Sequence, residues 1–352
     1  MAGLKKAVVK TALETLYFTG AHLALRPWLG GVGSILTLHH VRPPRAGEFQ
    51  PNRLLEIAPA YLERVLARLR RTGTDIVTLD EARRRLLEAD FRRRFVCLTF
   101  DDGYRDNLRH AFPLLKKYDA PFTIYIPTSF PDRVGDLWWL TLEQVIARNN
   151  RVALVIDGRN QSFDCSTTEQ KYALFDHIYW WLRDFEEEED MRSALRDLGV
   201  RYGIDTAEFC NELCMTWGEL AELAADPLTT VGAHTVNHIM LKKATDEAVR
   251  TEMRMSAATI EAALGVKPHH FAYPIGDRTS AGPREFAIAA ELGFTTGVTT
   301  RPGVLFPEHR EHLMALPRLS LNGEYQRLRY TTVLMSGAPT GLRNRLRRVD
   351  AA

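Results

Sequence analysis

The chain has 352 residues, 45% of them hydrophobic, and a formal net charge of +2. That length holds one large α/β barrel or two medium domains, and the near balance of charge excludes a global electrostatic pull toward nucleic acid. Four cysteines, Cys97, Cys165, Cys210 and Cys214, make no disulfide framework, and no apolar run of about 18 residues marks a membrane span. The thiol usage suits a reducing compartment, so the chain is read as cytoplasmic.

Residues 1–33 carry Leu4, Val8, Leu13, Leu16, Tyr17 and Leu23 at roughly helical spacing, with Lys5, Lys6 and Lys10 among them. Glu14 and His22 interrupt the apolar run, which argues for an amphipathic helix over a signal peptide. Such a helix caps a domain, binds a partner or lies on a membrane surface. Capping is the simplest of the three, and peripheral contact with the inner membrane surface stays open.

Residues 34–38 read as a buried strand ending on His39 and His40, and prolines at 43, 44 and 51 enforce a loop after it. A helix over 60–71, a strand over 75–79 and a helix capped by Asp80 follow. Residues 95–100 form a continuous apolar, β-branched run, as expected of a strand buried on both faces. It stops on Asp101, Asp102 and Gly103, and residues 105–118 then read as a helix with Leu108, Phe112 and Leu115 on one face. A helix cap requires one Asp, whereas two adjacent carboxylates repel unless a cation or a proton separates them. Residues 121–127 are another strand, and the alternation specifies a mainly parallel sheet with right-handed crossovers.

Between 134 and 226 the rhythm turns mostly helical, with Trp138, Trp139, Trp180, Trp181 and Trp217 and one strand-like run at 152–156. This segment reads as an insertion beside or over the barrel mouth. Its tryptophans serve as its core or as platforms for sugar rings, core being the commoner use. Residues 228–233 resume the alternation, with a helix at 246–264, a strand at 269–273, a helix at 283–292 and strands at 294–299 and 316–321. The chain therefore divides into an N-terminal segment (1–33), a barrel (34–133 and 227–325), the insertion (134–226) and a basic tail (326–352). Arg343, Arg345, Arg347 and Arg348 leave that tail disordered or drawn to anionic surfaces.

His234 and His238 stand four residues apart just past the 228–233 strand, a spacing that lets two imidazoles share a metal. Two histidines and one carboxylate leave coordination positions open, as catalytic metal sites do, and free the second carboxylate to act as a base.

The run Thr99-Phe100-Asp101-Asp102-Gly103-Tyr104, then His234-Thr235-Val236-Asn237-His238, then Phe271-Ala272-Tyr273-Pro274-Ile275-Gly276 resembles the motifs of the polysaccharide deacetylases, carbohydrate esterases related to the nodulation chitooligosaccharide deacetylase. The resemblance spans roughly 35–321 apart from the insertion. It implies an α/β fold, a distorted (β/α) barrel with fewer than eight regular strands. It also implies Asp101 as catalytic base, Asp102, His234 and His238 as metal ligands, and the Ile275 N–H at the oxyanion. Tyr104, Tyr273, Pro274 and Arg318 are the candidates for touching substrate. Many members carry an arginine that orients the catalytic Asp where this chain has Ala272, so Arg301 or Arg318 would have to supply that charge. The late histidine that serves as general acid is matched best by His312, with His309 next and His39 or His40 as strand-end alternatives.

The activity so implied is metal-dependent removal of N-acetyl groups from an amino-sugar glycan. Zinc is the default metal, and cobalt, nickel or manganese suit the same donors. An acetylated glycan is the expected partner. A metal-dependent amidase on a non-sugar substrate and a catalytically silent carbohydrate-binding protein are the competing readings.

Overall fold

A computed structural model describes residues 2–156 and 158–351, with side chains placed from residue 6 onward. Leu4 and Lys5 of the N-terminal stripe therefore lie outside the residues whose side chains are described. Helices α1 (Ala2–Phe18) and α2 (Ala21–Leu29) lead into strand β1 (Gly33–Leu38). Two short strands, β2 (His40–Val41) and β3 (Glu56–Ile57), pair with each other beyond it. Then come α3 (Pro59–Arg71), β4 (Asp75–Ile76), α4 (Leu79–Glu88), β5 (Phe95–Phe100), α5 (Phe112–Lys117) and β6 (Phe122–Ile126). The insertion holds α6 (Trp138–Arg148), β7 (Arg151–Ile156), β8 (Arg159–Asp164), α7 (Thr168–Arg183), α8 (Glu188–Arg201), α9 (Thr206–Leu213) and α10 (Trp217–Ala224). The barrel resumes with β9 (Thr229–Ala233), α11 (Asp246–Leu264), β10 (His270–Ala272), α12 (Pro283–Glu291), β11 (Thr296–Pro302) and β12 (Leu316–Ser320). Helices α13 (Leu328–Met335) and α14 (Ala338–Arg343) end the chain.

Seven strands close into a parallel barrel in the order β1-β12-β11-β10-β9-β6-β5, with β5 pairing back onto β1. The edge of β5 facing away from β1 is shared, since β4 pairs with Phe95 and Val96 and β6 with Leu98 to Phe100. Strand alternation divides the apolar residues into two cores. Ile35, Cys97, Tyr125, Ala272, Val298 and Leu316 fill the barrel interior. Leu36, Leu98, Phe100, Ile124 and Phe271 face outward into the layer beneath the helices. This is the distorted (β/α) barrel that the motifs imply, and it puts the carboxyl ends of the strands, where such folds place their chemistry, at one mouth.

Several local expectations shift. Helix α4 is capped by Thr78, whose hydroxyl accepts from the Glu81 N–H, and Asp80 lies inside the first turn. The helix after β5 begins as a wide π-helical turn over Asn107–Ala111, because Pro113 has no N–H to donate back four residues. Residues 152–156 do form a strand, which makes a hairpin with β8. That partner, Arg-Asn-Gln-Ser-Phe-Asp, has no apolar alternation to announce it. The stretch 326–352 contains two helices, because Tyr330 and Val333 are apolar enough to bury against Leu13 of α1.

Candidate active site

Asp101 and Asp102 sit where β5 ends, both almost fully buried. Asp101 is held from below by Arg318, which rises from β12 inside the barrel. Arg318 Nη1 donates to Asp101 Oδ1 and Nη2 to Oδ2, each at 2.7 Å. The same guanidinium donates to Thr99 Oγ1 at 3.1 Å and, through Nε, to Thr299 O at 2.8 Å. Burial by itself raises a carboxyl pKa, but the fork of charge from Arg318 prevails and keeps Asp101 well below the usual carboxylate range. Arg318 is thus the orienting charge that Ala272 lacks. Being fully buried, it has no surface to offer a substrate. Arg301 is spent elsewhere, on Ala281 O and Asp350.

Asp102 takes a left-handed backbone conformation, with φ of 72°. Its Oδ1 lies 3.6 Å from His234 Nε2 and 3.4 Å from His238 Nε2, and among the described residues it receives no hydrogen bond. The potential ligand atoms of these three residues all lie within 4.8 Å of one another. Burial, and then the negative charge of Asp101, push the Asp102 carboxyl up to about 8. Burial also lowers both imidazoles below their ordinary value, leaving them neutral with lone pairs to give. The Nδ1–H of His234 donates to Ala272 O at 2.6 Å, which turns Nε2 toward Asp102. A buried carboxylate oxygen without a donor, facing two neutral imidazole nitrogens, fits a divalent cation.

The histidine loop is tied down from two sides. Glu252 of α11 accepts from the N–H groups of Val236 and Asn237, and Thr235 Oγ1 accepts from the His238 N–H. Arg192, on α8 of the insertion, donates to the carbonyls of Asn237 and His238. Thr235, His238 and Ile275 share the left-handed conformation of Asp102. Four of the nine such non-glycine residues among those described therefore belong to this site. Each costs about 1–3 kcal/mol, and the hydrogen bonds around them hold the geometry. Ile275 is a β-branched residue at φ 61°. Its carbonyl accepts from Thr300 Oγ1 at 2.6 Å, while among the described residues its own N–H has no acceptor.

The other expected contacts separate. His312 is exposed and lies one short turn, Leu313–Ala315, ahead of β12, at the opposite end of the barrel from the carboxylates. His309 is buried, and its Nδ1 accepts from the Phe306 N–H. The histidine that does reach the site is His39, with Nε2 3.9 Å from Asp101 Oδ2; burial lowers its pKa to about 4. His40 turns away to Asp106, with Nδ1 at 2.6 Å from Oδ2, and stacks on Tyr104. Tyr104 is wholly buried behind Asp102, so it supports the floor and meets no substrate. Tyr273 points outward, donating to Met314 O against Phe286, because its inward-facing neighbour is Ala272. Pro274 is buried as well, leaving Ile275 as the part of that motif that lines the cleft.

The cleft measures about 490 Å³. Its floor is His39, Asp101, Asp102, His234 and His238, with Thr37, Thr300 and Ser320 from neighbouring strand ends. The insertion supplies the opposing wall, with Trp138 and Trp139 from α6 and Phe175, Asp176, Tyr179 and Trp180 from α7. Trp138 and Trp139 are largely buried and belong to the insertion core while presenting an edge to the cleft, whereas Trp180 is 62% exposed. The turn at Pro51–Leu55, which carries Asn52 and lies in what the sequence marks only as a proline-rich loop, borders the same cleft. Only its proline hinted at order.

A family model for polysaccharide deacetylase matches residues 88–153 and 176–297, more than half of the chain. No curated protein matches at a significant level. Among solved structures, the Streptococcus pyogenes deacetylase PplD in complex with acetate aligns with a TM-score of 0.56 at 19% identity, covering 86% of this chain and 96% of that one. IcaB from Ammonifex degensii gives 0.53 at 19% identity over 87% and 96%. A de-N-acetylase from Aggregatibacter actinomycetemcomitans gives 0.53 at 14% over 86% and 99%. At such identities the likeness is one of fold. With the motifs, the barrel and the family match together, the chain belongs to the polysaccharide deacetylase family, hydrolases that act on acetylated glycans.

Proposed function

We infer that the protein removes N-acetyl groups from an amino-sugar glycan, using a divalent cation held by Asp102, His234 and His238. The observation that carries this is the Asp102 oxygen facing two neutral imidazoles beside a second carboxylate fixed by Arg318. Zinc suits two nitrogens and one oxygen, and cobalt, nickel or manganese are accommodated by the same donors. Such a cation supplies Lewis acidity, polarising the acyl oxygen and acidifying water.

The residues divide the remaining work. Asp101 takes a proton from water as its oxygen adds to the acetyl carbon. The Ile275 N–H donates to the acyl oxygen as charge develops on it. The C–N bond then breaks as the leaving nitrogen takes a proton, and the neutral imidazole of His39, with Nε2 3.9 Å from Asp101 Oδ2, is the group placed to relay to it the proton that Asp101 took from water. The products are acetate and a free amino sugar. The aromatic wall of α6 and α7 favours a sugar over another amide, because aromatic faces pack on the C–H faces of pyranose rings.

Acetate release from N-acetylglucosamine oligomers, with metal content measured alongside, tests the reading. Activity should vanish with a chelator and return with added metal, and His234→Ala should lose bound metal while keeping the fold. Release that survives complete removal of metal rejects the metal assignment. Tight binding of the oligomers without release by metal-loaded protein leaves the silent carbohydrate-binding reading. The same deacetylation assay on His39→Asn and His312→Ala separates the two candidate acids: the first should be impaired and the second normal.

A further inference from the structure

One flank of the barrel, together with the adjoining end where the strands begin, has an unusual surface. Helix α2 ends shortly before β1, and the N-terminus of α14 lies against the Leu29 carbonyl, so α2 and the start of α14 lie where the strands begin, while α1 runs up the flank of the barrel and its Lys6 pairs with Glu324 beyond the carboxyl end of β12. The second half of α1 is anchored, with Leu13 buried against Tyr330 and Val333 and Glu14 bonded to Arg329. Residues 6–12 are exposed all round. Among the described residues, nine large apolar side chains are more than half exposed, and six of them are here: Val8, Phe18, Leu23, Trp28, Leu342 and Leu346. Val8 and Leu342 face each other across one shallow groove. Leu346 is held outward by a left-handed turn at Arg345 and Leu346, with φ of 51° and 65°. No apolar core gains from that strained turn, and a singly exposed residue would need no account, but a cluster of six does.

The charge on this surface is one-sided. Lys10, Arg26, Arg343, Arg345 and Arg347 are exposed on the same elements. The only acid within residues 6–33 is Glu14, already held by Arg329, and residues 338–349 contain none. A second copy of the chain is a poor occupant, because a two-fold contact would set these cations against their own images. Exposed Trp and Phe on helices lined with Lys and Arg suit the interface of an anionic bilayer, where the rings enter the headgroup layer and the cations meet lipid phosphate. No described helix is long and apolar enough to cross a membrane.

From this surface we propose that the protein docks on anionic lipid through α1, α2 and α14, lying on the bilayer along this flank of the barrel. The docking is independent of the deacetylase chemistry.

The test is sedimentation of the full chain with vesicles of phosphatidylcholine alone or with added phosphatidylglycerol, at low and high salt. Wild type should pellet with the anionic vesicles at low salt and be released at high salt. Phe18→Ser/Trp28→Ser and Arg345→Glu/Arg347→Glu change only exposed side chains. Each pair should lower partitioning by about tenfold or more while leaving the melting temperature and the hydrolysis of a soluble glycan unchanged. Absence of wild-type binding at low salt overturns the proposal, as does binding indifferent to lipid charge and to both double variants. A dimer in size-exclusion chromatography that the same variants dissociate overturns it in favour of a protein partner.

Discussion

The two sides of the cleft are built on opposite principles. The floor, on strand ends of the barrel, is buried, charged and over-determined: Asp101 has a bidentate partner, and the histidine loop is fixed by Glu252, Thr235 and Arg192. The wall, on α6 and α7, is aromatic and partly open, with Trp180 and Asp176 exposed beside Tyr179. Strain is concentrated in the floor, at Asp102, Thr235, His238 and Ile275. Reaction chemistry needs groups held to within a fraction of an ångström, which only a packed scaffold provides. In the proposed reading, recognition of a sugar face tolerates looser placement, which suits a wall carried on helices outside the barrel. The exception is Arg192, a residue of the insertion that reaches the His238 carbonyl and couples the two sides.

Breaking the floor should have the largest effect. Asp101→Asn keeps an oxygen toward Arg318 and should retain the fold and full metal content, yet lower turnover by about 10²–10⁴-fold; single-turnover acetate release with metal analysis reads both. Metal loss instead would mean that Asp101, not Asp102, is the ligand. Arg318→Met should be next. It leaves Asp101 buried without its cation, which costs about 3–5 kcal/mol in a denaturant titration. It also removes the charge that holds the Asp101 carboxyl down, so the acid limb of the pH–rate profile should move to higher pH, because Asp101 then protonates sooner as pH falls. An unmoved acid limb would separate Asp101 from the base role. On the wall, Trp180→Ala should raise KM about three- to tenfold, the equivalent of roughly 0.5–1.5 kcal/mol of ring contact, with kcat and melting temperature unchanged. A loss confined to kcat would make the wall part of the chemistry and dissolve the contrast.

The floor was largely legible in the sequence, and the wall was not. Asp101 with Asp102, and His234 with His238, are each neighbours in sequence, so short spacing carries their geometry. Arg318 could be named only as one of two arginines, because its meeting with Asp101 depends on barrel closure, which brings β12 beside β1. His312 failed for the same reason in reverse. It precedes a strand, whereas site residues follow strands, and the boundary of β12 decides which end of the barrel it occupies. Tyr104 and Tyr273 adjoin motif residues, but alternation along the chain turns an aromatic away from the side its neighbour faces. The sequence leaves the tryptophan pair at 138 and 139 open between core and platform; burial makes it core, with one edge presented to the cleft. Nothing local joined α7 to the turn at Pro51–Leu55, more than a hundred residues away; packing alone brings them together.

Barrel closure also has a consequence in time. The Asp101 carboxylate and its guanidinium partner are 217 residues apart in the chain, and β12 is the last strand to leave the ribosome. Until it docks, the interior of a nascent barrel holds a carboxylate with no counter-charge, so β1 and β5 have reason to remain hydrated and incompletely zipped. The mouth is then assembled only once β12 has emerged and docked. A chain released before residue 318 would lack both the final stave of the barrel and the ion that permits its floor to dry.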